Sequence, residues 1–138
     1  MIDRHEEAEQ LRRELESYNY ICKKIEENEA SLEQLFVIQS NLHGIDYSRV
    51  RVQTQRDGKP DSYYSLIERK EKLMAETEAL RARKERVDRF ISSLSDEEKG
   101  IITERFIRGL TLSQVGFRHH YSVSGIQWRI VSIIKKGV

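Results

Sequence analysis

The stretch TLSQVGFRHHYSVSGIQWRI, residues 111–130, decides the fold of the C-terminal third of the chain. A glutamine follows Thr111 by three residues, the spacing of a capping box at a helix start. Ser122 caps the next helix, expected over about residues 123–136, and the helix before it covers only about 112–119. The residues between the two helices form a tight turn. This arrangement is the plan of a helix-turn-helix.

A further helix is predicted immediately upstream of this stretch. Ser95 and Glu98 form a second capping box, and acidic residues in the first turn suit the positive end of the helix dipole. Gly109 is expected to end the helix as its C′ residue. The apolar face of this helix comprises Ile101, Ile102, the Arg105 stem, Phe106 and Ile107.

The last helix is amphipathic at 100° per residue. Its inward face is predicted to hold Val123, Ile126, Ile130, Ile133 and Ile134. Its outward face is predicted to hold Ser124, Trp128, Val131 and Lys135, with Gln127 and Arg129 at the borders. Gly116 in the short helix costs about 1 kcal/mol relative to alanine, which a close helix–helix crossing would explain.

The N-terminal two thirds of the chain have coiled-coil periodicity. Residues 6–42 predict one long helix with the seam Ala8, Leu11, Leu15, Tyr18, Cys22, Ile25, Leu32 and Phe36, interrupted at Glu29. Residues 62–94 predict a second long helix, in which Leu66, Leu73, Leu80, Val87 and Leu94 recur every seven residues. The seam positions between them are Tyr63, Lys70, Thr77, Lys84 and Ile91.

A connection at about residues 44–61 joins the two long helices, and VRVQT within it alternates like a short strand. Two helices of similar length joined by a loop predict a long antiparallel coiled-coil helical hairpin. Such a hairpin lacks a deep core, so we expect it to bury surface against a second copy, as a dimer. The predicted class is all-α, with a hairpin domain over 1–94 and a small helix-turn-helix domain over 95–138.

The charge is distributed unevenly along the chain. The formal net charge is only +1, but no Asp or Glu follows Glu104. The cationic residues beyond that point are Arg105, Arg108, Arg118, Arg129, Lys135 and Lys136. This basic end suits either a polyanionic partner, most simply nucleic acid, or a solvated cationic tail.

Several classes of function are disfavoured. A single cysteine, Cys22, cannot form an intramolecular disulfide or a cysteine zinc cage, and a reducing cytoplasm is expected. The polar N-terminus is not a signal peptide, and no apolar run is long enough to span a membrane. His119 and His120 diverge by about 100° on a helix, so they do not share a metal. His119 is expected to pack partly into the core, with His120 in the turn. No nucleophile–base arrangement or phosphate-binding glycine loop is present, so no catalytic residue, metal or cofactor is expected.

The segment LSDEEKGIITERFIRGLTLSQVGFRHHYSVSGIQWRI, residues 94–130, resembles region 4 of bacterial sigma factors and related DNA-binding domains. With the N-terminal coiled coil, the chain is similar to phage-encoded late-transcription regulators of the ArpU/RinA type in Gram-positive hosts. The family usually places an apolar residue and then a glycine where this chain has His119 and His120. It also places an apolar residue where this chain has Arg129, and Gly125 weakens the helix. The resemblance implies a DNA-binding protein of the bacterial host cytoplasm.

Residues near the N-terminus of the last helix are the candidates for contact with DNA base edges. They are Ser122, Ser124, Gln127, Trp128 and Arg129. The candidates for phosphate contact are Arg108, Arg118, His120, Lys135 and Lys136. For Trp128 the alternatives stay open: it contacts thymine methyls or sugars in the groove, or it packs against protein.

The leading hypothesis is a sequence-specific transcription regulator of phage or prophage origin, controlling late genes on double-stranded DNA. In it, the hairpin mediates self-association or contact with RNA polymerase. One alternative is a DNA-packaging recognition subunit, although such subunits more often place the DNA-binding part first. Another is a protein-binding adaptor with a helix-turn-helix fold that uses Trp128 and Val131 to hold a partner.

Overall fold

The structure, a computed structural model, describes the backbone of residues 3–44 and 62–138. Within those ranges every regular element is helical, which confirms the all-α class there. The helices are α1 (Arg4–Glu16), α2 (Tyr18–Gly44), α3 (Ser62–Ser92), α4 (Asp96–Ile102), α5 (Leu112–His119) and α6 (Val123–Lys136), with a π-helical turn at Thr103–Ile107. The strand predicted at VRVQT and the connection after Gly44 lie outside the described residues.

The prediction of one uninterrupted helix over residues 6–42 is wrong at Ser17. Its φ of −97° and ψ of 4° separate α1 from α2. The Ser17 hydroxyl donates a 2.7 Å hydrogen bond to the Arg13 carbonyl oxygen. This bonding of a serine back to the preceding turn competes with the helix ladder and bends helices.

The seam of α2 differs in part from its prediction, although Ile25 is buried as predicted. Ile21 and Leu35 are buried, whereas Phe36, which was predicted to lie in the seam, is 60% exposed. Asn28, which is only 3% exposed, is buried next to Glu29, the residue at which the predicted seam was interrupted. The α3 seam agrees with its prediction, because none of its predicted positions is exposed.

The chain divides into two compact units, residues 1–22 with 82–138 (unit 1) and residues 23–81 (unit 2). The domain boundary expected at 94/95 falls inside unit 1, because α1 and the C-terminal end of α3 pack with α4, α5 and α6. One core unites them, comprising Ala8, Leu15, Val87, Phe90, Leu94, Ile101, Ile102, Val115, Ile126, Ile130, Ile133 and Ile134.

Polar contacts add to the packing of unit 1. Glu14, only 4% exposed, accepts hydrogen bonds from Arg86 Nη2 at 2.7 Å and Nε at 3.1 Å. The Tyr18 hydroxyl donates to Asp88 Oδ1 at 2.7 Å. Burial, and then this bond, raise the pKa of Tyr18 above its usual range. These pairs link the first helical segments to α3 across about 70 residues of sequence.

Unit 2 contains the remaining lengths of α2 and α3, whose contacts run in opposite directions along the chain. Glu29 Oε1 accepts from Arg81 Nη2 at 2.7 Å, and Gln39 Oε1 accepts from Lys70 Nζ at 3.1 Å. Lys70 Nζ also lies 5.4 Å from the centre of the Phe36 ring, a cation–π distance. The half-buried Lys70 therefore occupies a seam position while its ammonium group keeps polar and aromatic partners.

The helix predicted after Ser95 begins as expected, with both hydrogen bonds of the capping box present. It then widens at Thr103–Ile107, where the Arg108 amide donates to the Thr103 carbonyl five residues back. Gly109 follows with a φ of +71°, as its predicted role as a C′ residue requires. The π-helical turn was not predicted, because the apolar pattern of this segment does not distinguish it from an α-helix.

The elements α5 and α6 cover the residues predicted for them, and their caps are confirmed. Thr111 and Gln114 form the capping box of α5, and Ser122 Oγ accepts from the Gly125 amide at 3.1 Å. A Cβ atom on Gly116 would lie 2.7 Å from the Tyr121 carbonyl oxygen, so only glycine fits against this turn. Val123 corrects the predicted inward face, because at 49% exposure it lies on the surface.

Candidate nucleic-acid interface

The first two turns of α6 carry an exposed set of side chains on a buried apolar base. Ile126, Ile130, Ile133 and Ile134 are buried in the core of unit 1 and fix the rotation of the helix. This rotation leaves Val123, Ser124, Gln127 and Trp128 exposed, and we call these four residues the outer face of α6. Trp128 is 73% exposed, which is unusual for so large an apolar side chain.

Ser122 precedes this face and serves first as a cap. Its Oγ accepts the Gly125 amide proton at 3.1 Å, satisfying one of the unpaired amides at the start of α6. The hydroxyl proton remains available as a donor, since the cap uses only a lone pair. Ser122 therefore lies at the exposed N-terminus of α6, and its oxygen already accepts the hydrogen bond from the Gly125 amide.

Arg129 is directed away from the outer face. Its side chain is 34% exposed, and Nη2 lies 3.7 Å from Glu98 Oε2. Lys136 Nζ lies 3.7 Å from the same oxygen, with a side chain that is 74% exposed. Arg129, predicted to contact bases, and Lys136, predicted to contact phosphate, therefore both lie beside the carboxylate of Glu98.

Glu98 is buried at the capping box of α4, and this environment favours its charged form. The Ser95 amide and then the Ser95 hydroxyl donate hydrogen bonds to it and hold its pKa below the usual range. Lys136 and Arg129 act in the same direction, while desolvation opposes them. A charged Glu98 therefore attracts the two cations electrostatically.

A second buried carboxylate, Glu104, accepts from two neighbouring residues of α5. Arg118 Nε lies 2.9 Å from Oε1, and His119 Nε2 lies 2.8 Å from Oε2. The Arg118 side chain remains 52% exposed, whereas that of His119 is 19% exposed. His119 is therefore packed toward the core and His120 is exposed in the turn, as expected.

The remaining phosphate candidates, Arg108, His120 and Lys135, are exposed. Among the described residues, no carboxylate forms an ion pair with Arg108 or Lys135. Sequence reasoning predicted Glu98 only as a capping residue and missed the contacts of Glu98 and Glu104 with cations, although both lie among the last acidic residues before the basic end. The available signal was the position of Glu104 as the last acid before the basic end.

Unit 1 has a cleft of about 300 Å³ whose lining includes residues of both α1 and α6. It is lined by Arg12, Glu16, Arg105, Phe106, Leu112, Gln127, Ile130 and Val131. Its one carboxylate, Glu16, already pairs with Arg12 at 3.3 Å. Val131 therefore lines the same cleft as Arg12 and Glu16 of α1, and Gln127 belongs both to this lining and to the outer face of α6.

Over residues 3–44 and 62–138, no three His, Cys, Asp or Glu side chains are grouped to hold a metal ion. In the same part of the chain, no helix has the length and apolar character that a membrane span requires. Comparisons with protein-family models, with curated proteins and with solved structures give no match to this chain.

Proposed function

We propose that the chain binds double-stranded DNA, with α5, the turn and α6 acting as a helix-turn-helix whose second helix enters the major groove. The observation that carries the proposal is the exposed, uncharged outer face of α6, rigidly supported by four buried isoleucines. In this motif the N-terminal residues of the second helix approach base edges. The resemblance to sigma factor region 4 supports the same role.

The charges around α6 also suit a polyanion. No acid follows Glu104, and the two buried acids among residues 95–138, Glu98 and Glu104, are each paired with cations. Arg108 and Lys135 are exposed and available for phosphates, and Arg118 and Lys136 keep exposed surface despite their pairs. Phosphate contacts position a protein on DNA and account for most of its salt-dependent affinity.

The biological role that fits is a transcription regulator of phage or prophage origin, acting on late genes in the bacterial cytoplasm. In this proposal α2 and α3 form the antiparallel hairpin, which mediates dimerisation or contact with RNA polymerase. Exposed apolar side chains on these helices, Phe36, Val37, Ile38, Tyr64 and Met74, support a protein-binding role. Light scattering tests whether the protein dimerises, and a co-elution experiment with RNA polymerase tests whether the hairpin contacts the polymerase.

DNA binding is tested by fluorescence anisotropy with a labelled pool of random duplexes over a salt series. We expect the logarithm of the association constant to fall linearly with the logarithm of salt concentration. Lys135→Ala should reduce the magnitude of the slope of this log–log plot by about 1. Lys72→Ala, which removes an exposed lysine from α3, is the matched control and should leave it unchanged. Absence of binding to any duplex at low salt would overturn the proposal.

A protein-binding adaptor is the second candidate, because the 73% exposure of Trp128 also suits a protein hot spot. An adaptor would use the same outer face of α6 but would show no DNA affinity. Purification of the full chain with a stable protein partner that Trp128→Ala releases, together with no duplex binding, would favour it.

A further inference from the structure

We infer that the outer face of α6 selects A·T base pairs, with Trp128 and Val123 packing against the C5-methyl groups of thymine. The inference rests on the proposed function and specifies which base edges the helix recognises. It depends on which side chains are exposed on that face and which are held away from it by contacts with other residues.

The side chains left on the outer face are two apolar and two neutral polar groups. Val123 and Trp128 are 49% and 73% exposed, and Ser124 and Gln127 are exposed beside them. These residues occupy positions 1, 2, 5 and 6 of α6, within the first two turns that a recognition helix directs at bases. None of them carries a charge.

The usual contact for guanine is an arginine or lysine that bonds to O6 and N7. Arg129 is the cation of α6 nearest to this face, but it is half-buried with Nη2 3.7 Å from Glu98. Lys135 lies seven residues beyond Trp128, about 10 Å along the helix axis. Arg118, on the preceding helix, is bound to Glu104 through Nε at 2.9 Å. The groups that read guanine are therefore held elsewhere or lie too far along the helix.

The groups that remain match the major-groove edge of an A·T pair. Adenine presents an acceptor at N7 and a donor at N6, which a glutamine amide such as that of Gln127 can pair with in two bonds. Thymine presents a methyl group, which apolar side chains contact, and unmodified G·C pairs have no such methyl. An exposed tryptophan and valine beside one glutamine thus complement A·T pairs better than G·C pairs.

The test begins with selection of bound duplexes from a random pool by the full-length protein. The best site is then synthesised in two forms, with thymine or with deoxyuridine, which removes only the C5-methyl groups. Anisotropy at one salt concentration gives the Kd of each form. We expect A·T pairs within the selected site and about fourfold weaker binding for each contacted methyl that is removed.

Three variants locate the effect. Trp128→Ala should bind the thymine duplex more weakly and should discriminate thymine from deoxyuridine less than the wild type. Phe117→Ala is the matched control, since it removes an 83% exposed aromatic side chain from α5, and should keep the full discrimination. Arg129→Gln should leave the selected bases unchanged. Circular dichroism verifies that each variant is folded.

The outcomes separate this inference from the proposed function. Equal affinity of the wild type for both duplexes, or a G·C-rich site whose recognition is lost in Arg129→Gln, overturns the inference and leaves DNA binding intact. Absence of binding to any duplex at low salt overturns both. Loss of discrimination in Phe117→Ala as large as in Trp128→Ala overturns the assignment to the outer face of α6.

Discussion

His120 adopts a backbone conformation that glycine adopts more readily. Its φ of 64° and ψ of 39° are left-handed, and it is the C-cap of α5. Left-handed backbone favours glycine, so the chain keeps the turn at the expense of strain in a residue with a Cβ atom.

Replacing His120 with glycine should therefore stabilise the protein, by up to about 1 kcal/mol in the free energy of unfolding. His120→Val should destabilise it, because β-branched residues tolerate positive φ poorly. Urea unfolding measures both effects. A glycine variant less stable than the wild type would show that the imidazole contributes more than the backbone strain costs.

Glu98 makes stability depend on pH in the acidic range. Its pKa is lower in the folded protein than in the unfolded chain, where carboxyls titrate near about 4.3. The folded state therefore binds this proton more weakly, and the stabilisation is present above the unfolded value. It is lost as the pH falls through the folded value.

The variant Glu98→Gln should remove this contribution. We expect it to be less stable than the wild type at pH 7, with the difference shrinking as the pH is lowered below about 4. Urea unfolding at a series of pH values measures this difference. Glu97→Gln, at an exposed position of the same helix turn, is the control. A difference that stays constant down to pH 3 would contradict the assignment.

At the scale of elements, the sequence predicts well those features that depend on neighbours along the chain. The caps at Ser95, Thr111 and Ser122 and the bounds of α5 and α6 depend on local spacing, and they are confirmed. The exposure of Trp128 also follows from the helical period. These features require no knowledge of distant residues.

The features that the sequence did not predict depend on tertiary contacts. Arg129 is directed by Glu98, which lies 31 residues earlier in the chain. No pattern within a single helix contains this information.

Asn28 offers an element-scale test of the α2 seam. It is 3% exposed, and among the described residues its Nδ2 has no hydrogen-bond partner. Asn28→Leu should raise the free energy of unfolding by about 1–3 kcal/mol, because a buried unpaired amide is removed. Asn41→Leu, at an exposed position of the same helix, is the control, and urea unfolding measures both. A destabilised Asn28→Leu would indicate that Asn28 is satisfied in solution by a partner, such as a water or a second chain.

At the scale of the whole molecule, the C-terminal helices share their core with α1. Ala8 and Leu15 are buried with Ile126, Ile130 and Ile133 in one cluster. A fragment of residues 95–138 would expose the surfaces that α1 and the end of α3 cover. Losing Leu15 alone should cost about 2–5 kcal/mol, as typical for a buried leucine.

We therefore expect the fragment 95–138 to be far less helical than the same residues in the full chain, with no cooperative thermal transition. Circular dichroism with temperature measures this. Leu15→Ala in the full chain should lower the melting temperature, whereas Leu32→Ala, half-buried in unit 2, should affect it less. A fragment that melts cooperatively near the temperature of the full chain would show that α1 is dispensable.

The distribution of unit 1 over both ends of the chain has a consequence for synthesis on the ribosome. The helix α1 is made first, yet the surface it packs against is completed only at about residue 134. At about 5–20 residues per second, α1 waits roughly 6 to 24 s for that surface. Nascent chains stalled before α6 should therefore be cleaved by protease near α1, and completed chains should be protected. An interval of this length gives chaperones time to bind the apolar residues of α1, Ala8, Leu11 and Leu15, before the core of unit 1 forms.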